Sequence, residues 1–579
     1  MKKFSKLIAV FVAIAMVCSM STNIVFAAEY TQATFVWGVG AYDFGPAVDK
    51  VIIDFKADVL GTSFDEETFV VDATYLSGGT LIEDSREVTR AYLSDANGKE
   101  VTASTSRYVT LDLRVVYTVM DCSGMALGSL SNNAGPFTYN SETGYNTWTN
   151  QYRPINAVSI AAGKSITVGG TSYDQMQING IVDQGKFVYS TLDWTKSTYT
   201  WTDPSDANHT ITHQIGSYEP AKLAQDDVRN PLIIWLHGAG EGGNDIDITL
   251  LGNNVTLLAS DKVQGCFVTE DCAGAYVLAV QSPTVWMDLG SGQSSGESTE
   301  SIYNASLFAA IENYVATHTD IDPEKIILGG CSNGGFMTMN MLIRHPDYFA
   351  AAYPICEALQ NSVITDANIE AIKDIPMWFV AAQNDTTVDP VNYTVATYRR
   401  LIEAGAENVY FSFPANVRAT DPRIGEDQIE YMGHWSWIYV LRNDLLPIVS
   451  WDGAVQNNNA GYVQIDGENV TIWEWLASWV AEEDESIGGG EGGSGEGGSG
   501  EGGSGSGEGG SGEGGSGEGG SGSGSGEGGS GEGGSGSGSG EGGSGEGGND
   551  KKGCFGVIGS SAVGVVAILV AAAFVLRKK

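Results

Sequence analysis

From Pro231 onward the chain alternates continuously apolar runs with amphipathic stretches. The runs are Leu232-Ile233-Ile234-Trp235-Leu236, Ala275-Tyr276-Val277-Leu278-Ala279-Val280, Lys325-Ile326-Ile327-Leu328-Gly329 and Met377-Trp378-Phe379-Val380-Ala381. A strand that is apolar at every position has no face to give to water, so it must be covered on both sides. Helices between such strands supply the cover, which predicts a mostly parallel α/β sheet. In sheets of this kind chemistry gathers at the carboxyl ends of the strands. Upstream of residue 190 the pattern changes to short β-rich runs, Lys50–Phe55, Thr68–Val71 and Tyr108–Leu113, separated by turns such as Ala96-Asn97-Gly98-Lys99. Short strands with turn signals predict an all-β sandwich.

Composition locates the remaining segments. Of 78 glycines in 579 residues, 37 fall within residues 488–548, a run of only Gly, Ser and Glu. The run has neither proline nor a period of three, which excludes collagen, and it buries nothing, which predicts a coil-like tether. The formal charge of −41 lies mostly outside this run, which carries 10 glutamates. An acidic surface repels phosphate backbones, so a nucleic-acid partner is not expected. Lys2, Lys3 and Lys6, the apolar stretch Leu7–Val17 and the small residues Ala27 and Ala28 predict a secretory signal peptide. At the other end Phe555–Leu576 is uncharged and is followed by Arg577-Lys578-Lys579. Its 22 residues would span roughly 33 Å as a helix, enough to cross a bilayer. The expected segments are a signal peptide (1–27), a β-sandwich (28–190), an α/β domain (191–487), a linker (488–549) and a membrane anchor or processed sorting tail (550–579). Six cysteines remain after the signal peptide with no CxxC pair, so zinc and redox sites are not expected. Cys266 and Cys272 are close enough in sequence to bridge.

Gly-x-Ser-x-Gly occurs twice. Gly292-Gln293-Ser294-Ser295-Gly296 lies in a polar stretch with no strand before it and reads as a loop. Gly330-Cys331-Ser332-Asn333-Gly334 follows the Ile326–Leu328 strand and leads into the helical stretch Phe336–Leu342. That is the context of a nucleophile elbow, where small neighbours permit a sharp turn that lifts the serine hydroxyl clear of the sheet. A serine nucleophile needs a base, and the base an orienting acid, in the chain order Ser, acid, His. Downstream of Ser332 there are two histidines, His345 at a helix end and His434 in Gly433-His434-Trp435-Ser436-Trp437. His434 is the expected base. Asp385, directly after the Met377–Ala382 strand, is the expected acid in preference to Asp389 beside Pro390. The loop His237-Gly238-Ala239-Gly240 after Leu236 supplies one oxyanion amide, from Ala239, and the residue after the nucleophile, Asn333, supplies the other. Trp286 and Trp435 are placed as substrate-binding residues near the cleft, and residues 288–300 as a flap over it. No metal or other cofactor is required, because side chains and amides carry the chemistry.

Leu236-His237-Gly238-Ala239-Gly240-Glu241, Gly330-Cys331-Ser332-Asn333-Gly334-Gly335, Tyr353-Pro354-Ile355-Cys356, Ile372–Trp378 and His434-Trp435-Ser436-Trp437 resemble the α/β-hydrolase esterases with an N-terminal immunoglobulin-like domain. These are the Thermotoga-type esterases, grouped with prolyl-oligopeptidase-family and feruloyl-esterase-like hydrolases. The resemblance covers about residues 195–480 by motif and the preceding β-domain by layout. It implies that Ser332, Asp385 and His434 form the catalytic triad. Cys331 and Asn333 depart from the usual apolar elbow neighbours, and the linker and anchor lie outside the resemblance. The implied activity is hydrolysis of short acyl or feruloyl esters, with polysaccharide-linked esters as substrates, and the signal peptide and anchor predict that it acts at the cell surface. A homo-oligomer formed through the N-terminal domain is a further expectation. The alternatives are a serine peptidase of the prolyl oligopeptidase family and a non-catalytic surface protein that binds polysaccharide.

Overall fold

The computed structural model describes residues 29–77, 80–115, 137–140, 145–148, 155–179, 187–220, 229–269, 272–290, 296–424, 430–452 and 455–481. The expected signal peptide, linker and anchor lie outside the described residues, as do Cys122, Cys554 and Gly292 to Ser295 of the second Gly-x-Ser-x-Gly copy. Among the described residues no helix is long and apolar enough to cross a membrane.

The N-terminal part is a pair of β-sheets. One sheet sets Phe69–Ser77 between Ile155–Ile160 and Thr80–Arg86; the other is built on the long strand Gly45–Leu60, flanked by Thr34–Tyr42 and Thr105–Leu113. Alternate side chains of these strands, among them Trp37, Val51, Ile53, Phe55, Val109, Leu111 and Val158, meet in one buried cluster. That is the inward half of the period-2 pattern of a sandwich.

The second part is an eight-stranded sheet: β1 (Thr195–Asp203), β2 (Asp206–Tyr218), β3 (Asn230–Leu236), β4 (Tyr276–Gln281), β5 (Ile321–Cys331), β6 (Ala351–Ile355), β7 (Met377–Val380) and β8 (Val409–Ser412). Their order is β1-β2-β4-β3-β5-β6-β7-β8. The first two strands form an antiparallel hairpin, β2 runs antiparallel to β4, and the rest are parallel. All four apolar runs lie in this sheet. Ile233 and Trp235 of β3 join one hydrophobic cluster and Leu232, Ile234 and Leu236 the other, so the strand is buried on both faces. The helices α1 (Asn304–Thr317), α2 (Asn333–Arg344) and α3 (Thr394–Glu403) add their apolar faces to the second cluster, with Leu307, Phe336 and Leu401 among its members. Cys266 and Cys272, close enough in sequence to bridge, are not joined: the Sγ of Cys272 lies 3.1 Å from Asn230 Oδ1 and that of Cys266 3.5 Å from the Lys262 carbonyl.

The two parts share a buried polar contact. Asp43, at the tip of the hairpin Thr34–Tyr42/Gly45–Leu60, pairs with Arg442 at 2.7 Å, and Arg442 reaches Asp421 at 2.5 Å. The Arg423 guanidinium lies 4.0 Å above the ring centre of Tyr42 and donates to the Ala41 carbonyl at 3.0 Å.

Candidate active site

Strand β5 ends at Cys331 and helix α2 begins at Asn333, so Ser332 is the single residue on which the chain reverses. It has φ 55° and ψ −114°, a conformation that a non-glycine residue holds only when its surroundings enforce it. They do so here by packing and hydrogen bonding: the Ser332 N–H donates to Ile355 O of β6 at 2.9 Å, and its carbonyl accepts Phe336 N–H at 2.9 Å. Gly334 lies against Leu236 O so closely that a Cβ there would collide with it.

Ser332 Oγ lies 2.9 Å from His434 Nε2, and His434 Nδ1 lies 2.7 Å from Asp385 Oδ2. Asp385 sits in the loop after β7, where its Oδ1 accepts the Thr387 and Val388 amides at 2.8 and 3.0 Å. Asp389 is exposed and accepts from Val391 N and Asn392 Nδ2 in its own turn. His345 caps the end of α2, with its ring stacked on Phe308. The structure therefore joins Ser332, His434 and Asp385 and leaves both rivals outside. Burial opposes a charged imidazole at His434, but the Cys356 sulfur in hydrogen-bond contact and the Asp385 carboxylate outweigh it and raise the imidazolium pKa above the ordinary value. In the neutral ring, the carboxylate bonded to Nδ1 fixes the tautomer that leaves Nε2 free to accept from Ser332.

Of the two expected amides, one directly follows the serine in the chain and the other opens the turn after β3. Asn333 is the first residue of α2, where an N–H has no acceptor within the helix. Ala239 opens a 3₁₀ turn, Ala239–Glu241, just after β3. The loop before it is held by His237, whose Nε2 accepts Ser282 N–H at 3.0 Å and whose Nδ1 lies 2.6 Å from Gly238 O. These partners assign the proton to Nδ1, and burial lowers the His237 pKa to about 4, so the ring is neutral. Among the described residues no group of His, Cys, Asp and Glu is arranged to hold a metal ion.

Two expectations are corrected. Trp286 is fully buried and Trp435 is 5% exposed, so neither offers a wall to a substrate. Trp286 packs between His213 and His237, and Trp435 against Tyr431 and Trp437. Both follow a strand or flank the histidine in sequence, but the positions are core positions. Of the expected flap, residues 291–295 lie outside the described residues, and Gly296 is fixed by Gln360 N–H, which donates to its carbonyl at 2.9 Å. Sequence reasoning missed three contacts: the His237 brace, the Cys356 thiol beside His434, and the Asn333 side chain, whose Oδ1 accepts Trp286 N–H. Only the last left a signal, an amide where elbows usually carry an apolar residue.

The sheet order is that of the α/β-hydrolase fold, and the joined serine, histidine and aspartate have the arrangement of a serine-hydrolase triad. Residues 34–174 match the esterase Ig-like N-terminal domain, and residues 305–362 match the prolyl oligopeptidase family. The C-terminal part thus has the α/β-hydrolase fold, and the sandwich before it matches an esterase immunoglobulin-like domain. Among solved structures, a thermostable esterase is 22% identical at a TM-score of 0.53, over 71% of this chain and 96% of that one. A ferulic acid esterase is 14% identical at a TM-score of 0.30, over 43% of this chain and 96% of that one. An S-formylglutathione hydrolase from Agrobacterium tumefaciens is 12% identical at 0.29, over 43% and 92%. No curated protein matches the sequence.

Proposed function

We propose that the protein is an exported carboxylic-ester hydrolase that works through an acyl-enzyme on Ser332. The observation that carries this reading is the hydrogen-bonded line from Ser332 Oγ through His434 to Asp385. His434 Nε2 removes the Ser332 proton as Oγ attacks the ester carbonyl carbon. Asp385 keeps the ring oriented and stabilises the imidazolium. The tetrahedral oxyanion receives the Asn333 and Ala239 N–H groups, and His434 returns its proton to the leaving alcohol. Water then attacks the acyl-enzyme by the same route in reverse, releasing the acid.

Steady-state hydrolysis of a chromogenic acetyl ester tests this. Ser332→Ala should abolish turnover, and full activity in that variant would overturn the reading. Asp385→Asn should lower kcat by about 10²–10⁴, because the ring then loses its tautomer control, whereas Asp389→Asn should leave it unchanged.

The finer proposal is that the substrates are acetyl or feruloyl esters of carbohydrates, met outside a cell to which the C-terminal segment tethers the enzyme. With both tryptophans in the core, aromatic walls no longer support the carbohydrate, and this part rests on the family resemblance and the export signal. A panel of acetylated and feruloylated oligosaccharides decides it. The match to the prolyl oligopeptidase family favours peptide cleavage as a second reading, and comparing peptide amides with esters of the same acyl group separates the two. Self-association through the immunoglobulin-like domain is proposed as well, to be tested by sizing the protein in solution.

A further inference from the structure

The side chain of Asn333 is as well placed as its backbone. Asn333 is 2% exposed, and its Oδ1 accepts the Trp286 N–H at 2.5 Å across 47 residues of chain. The carbonyl of Trp286 accepts Ser301 Oγ at 2.5 Å, so this backbone unit is held at both ends. The Trp286 indole stacks on His213, 5.8 Å between ring centres, and leans on His237 at 5.0 Å. His237 in turn holds Gly238 O at 2.6 Å. The Gly238 carbonyl and the Ala239 N–H belong to one planar trans peptide and point opposite ways. Whatever fixes the carbonyl therefore aims the N–H. A continuous path of contacts thus runs from the Asn333 side chain to Trp286, to His237, and to the peptide that carries the Ala239 N–H.

We propose that Asn333 is a positioning residue that couples the two oxyanion donors, its own N–H and that of Ala239, through Trp286 and His237. The proposal rests on the esterase reading. It accounts for an amide at a position where an apolar side chain would leave the Trp286 N–H without an acceptor in a dry site. It also gives Trp286 a task as a strut beneath the site.

The test is a double-mutant cycle of Asn333→Ala and Ala239→Pro on the full chain. Proline at 239 deletes the donor and suits the site, since Gly238 at φ −72°, ψ 177° already has the extended conformation required before proline. The readouts are kcat and KM on a chromogenic acetyl ester, affinity for a trifluoromethyl ketone whose Ser332 adduct bears an oxyanion, and melting temperature. Ala239→Pro alone should lower kcat by about 10²–10³. Asn333→Ala should lower kcat about 10-fold or more, with a parallel loss of ketone affinity and little change in KM, the pattern of an interaction made only in the transition state. In the Ala239→Pro background the same change should cost less than about threefold, because coupled residues are non-additive. Losses that multiply, or a rise in KM alone, would overturn the coupling while leaving the esterase reading in place. An unchanged kcat in Ala239→Pro would overturn both the oxyanion assignment and the coupling. If Asn333→Ala does not fold, Asn333→Ser takes its place in the cycle.

Discussion

Glu357, two residues past the end of β6, has no exposed surface. Its Oε2 accepts the Leu359 N–H at 2.8 Å, and its Oε1 has no hydrogen-bond partner among the described residues. Burial raises its pKa from 4.5 to about 8, with the Leu359 hydrogen bond opposing. Between those two values the folded chain holds a proton that the unfolded chain has lost. The stabilisation is therefore complete below pH 4.5, falls as pH rises toward 8, and is flat beyond. The limiting slope for one group is ~1.4 kcal/mol per pH unit. Glu357→Gln keeps the shape and the acceptor without the titration. Unfolding by denaturant at pH 5 and pH 8 should show the glutamine variant gaining on the wild type as pH rises. Parallel pH profiles would mean that Glu357 is already ionised in the fold.

At the scale of elements, the elbow depends on how closely α2 approaches β3. Gly334 stands where a Cβ would meet both Leu236 O and the His237 carbonyl, and Gly329 lies under the ring of Tyr353, whose hydroxyl donates to Ile234 O at 2.7 Å. Gly334→Ala should push the nucleophile helix off the sheet and destabilise the fold by about 1–3 kcal/mol, with a loss of kcat because Ser332 moves. Gly265 is the control. It has φ −59° and ψ −23°, with nothing near a Cβ, so Gly265→Ala should be neutral or slightly stabilising in the same denaturation and kinetic assays. An equal effect at both positions would refute the packing argument. The elbow was legible in the sequence because its needs are local: an apolar strand, small residues around one serine, and a helix at once. Asp385 was legible for a similar reason, lying directly behind a strand. The β1–β2 hairpin was not, since Thr195–Asp203 is mostly exposed and Thr-rich and carries no apolar run. Nor were the positions of Trp286 and Trp435, because an indole has the same sequence signature in a core as beside a cleft, and only tertiary packing decides between them.

Over the whole molecule, the immunoglobulin-like domain is tied to the segment that carries the histidine. Arg442 follows the short helix Trp437–Leu441, which itself follows His434. Its guanidinium joins Asp43 of the sandwich to Asp421, with both carboxylates 1% exposed and the arginine side chain 10%. Asn254 Nδ2 donates a further hydrogen bond to Asp43 at 3.2 Å. Burial pushes the Asp43 pKa up, with Arg442 opposing, whereas Asp421, beside two guanidinium groups, is held below the ordinary value. These partners are 399 residues apart, which is why no sequence pattern announces them. A buried pair adds little net energy when formed, but removing one member leaves the other desolvated and unpaired, at a cost of about 3–5 kcal/mol. Arg442 keeps Asp421, so Asp43→Ala should fall near the lower end of that range. The loss should appear as one cooperative transition at lower denaturant, because the contact joins the two domains rather than stabilising either alone. Since the same contact steadies the segment behind His434, kcat on the acetyl ester should fall together with stability. The cycle with Arg442→Met tests the link: a double variant no less stable than Asp43→Ala would show that the cost is the guanidinium left without its Asp43 partner, and additive losses would show that the two residues act separately.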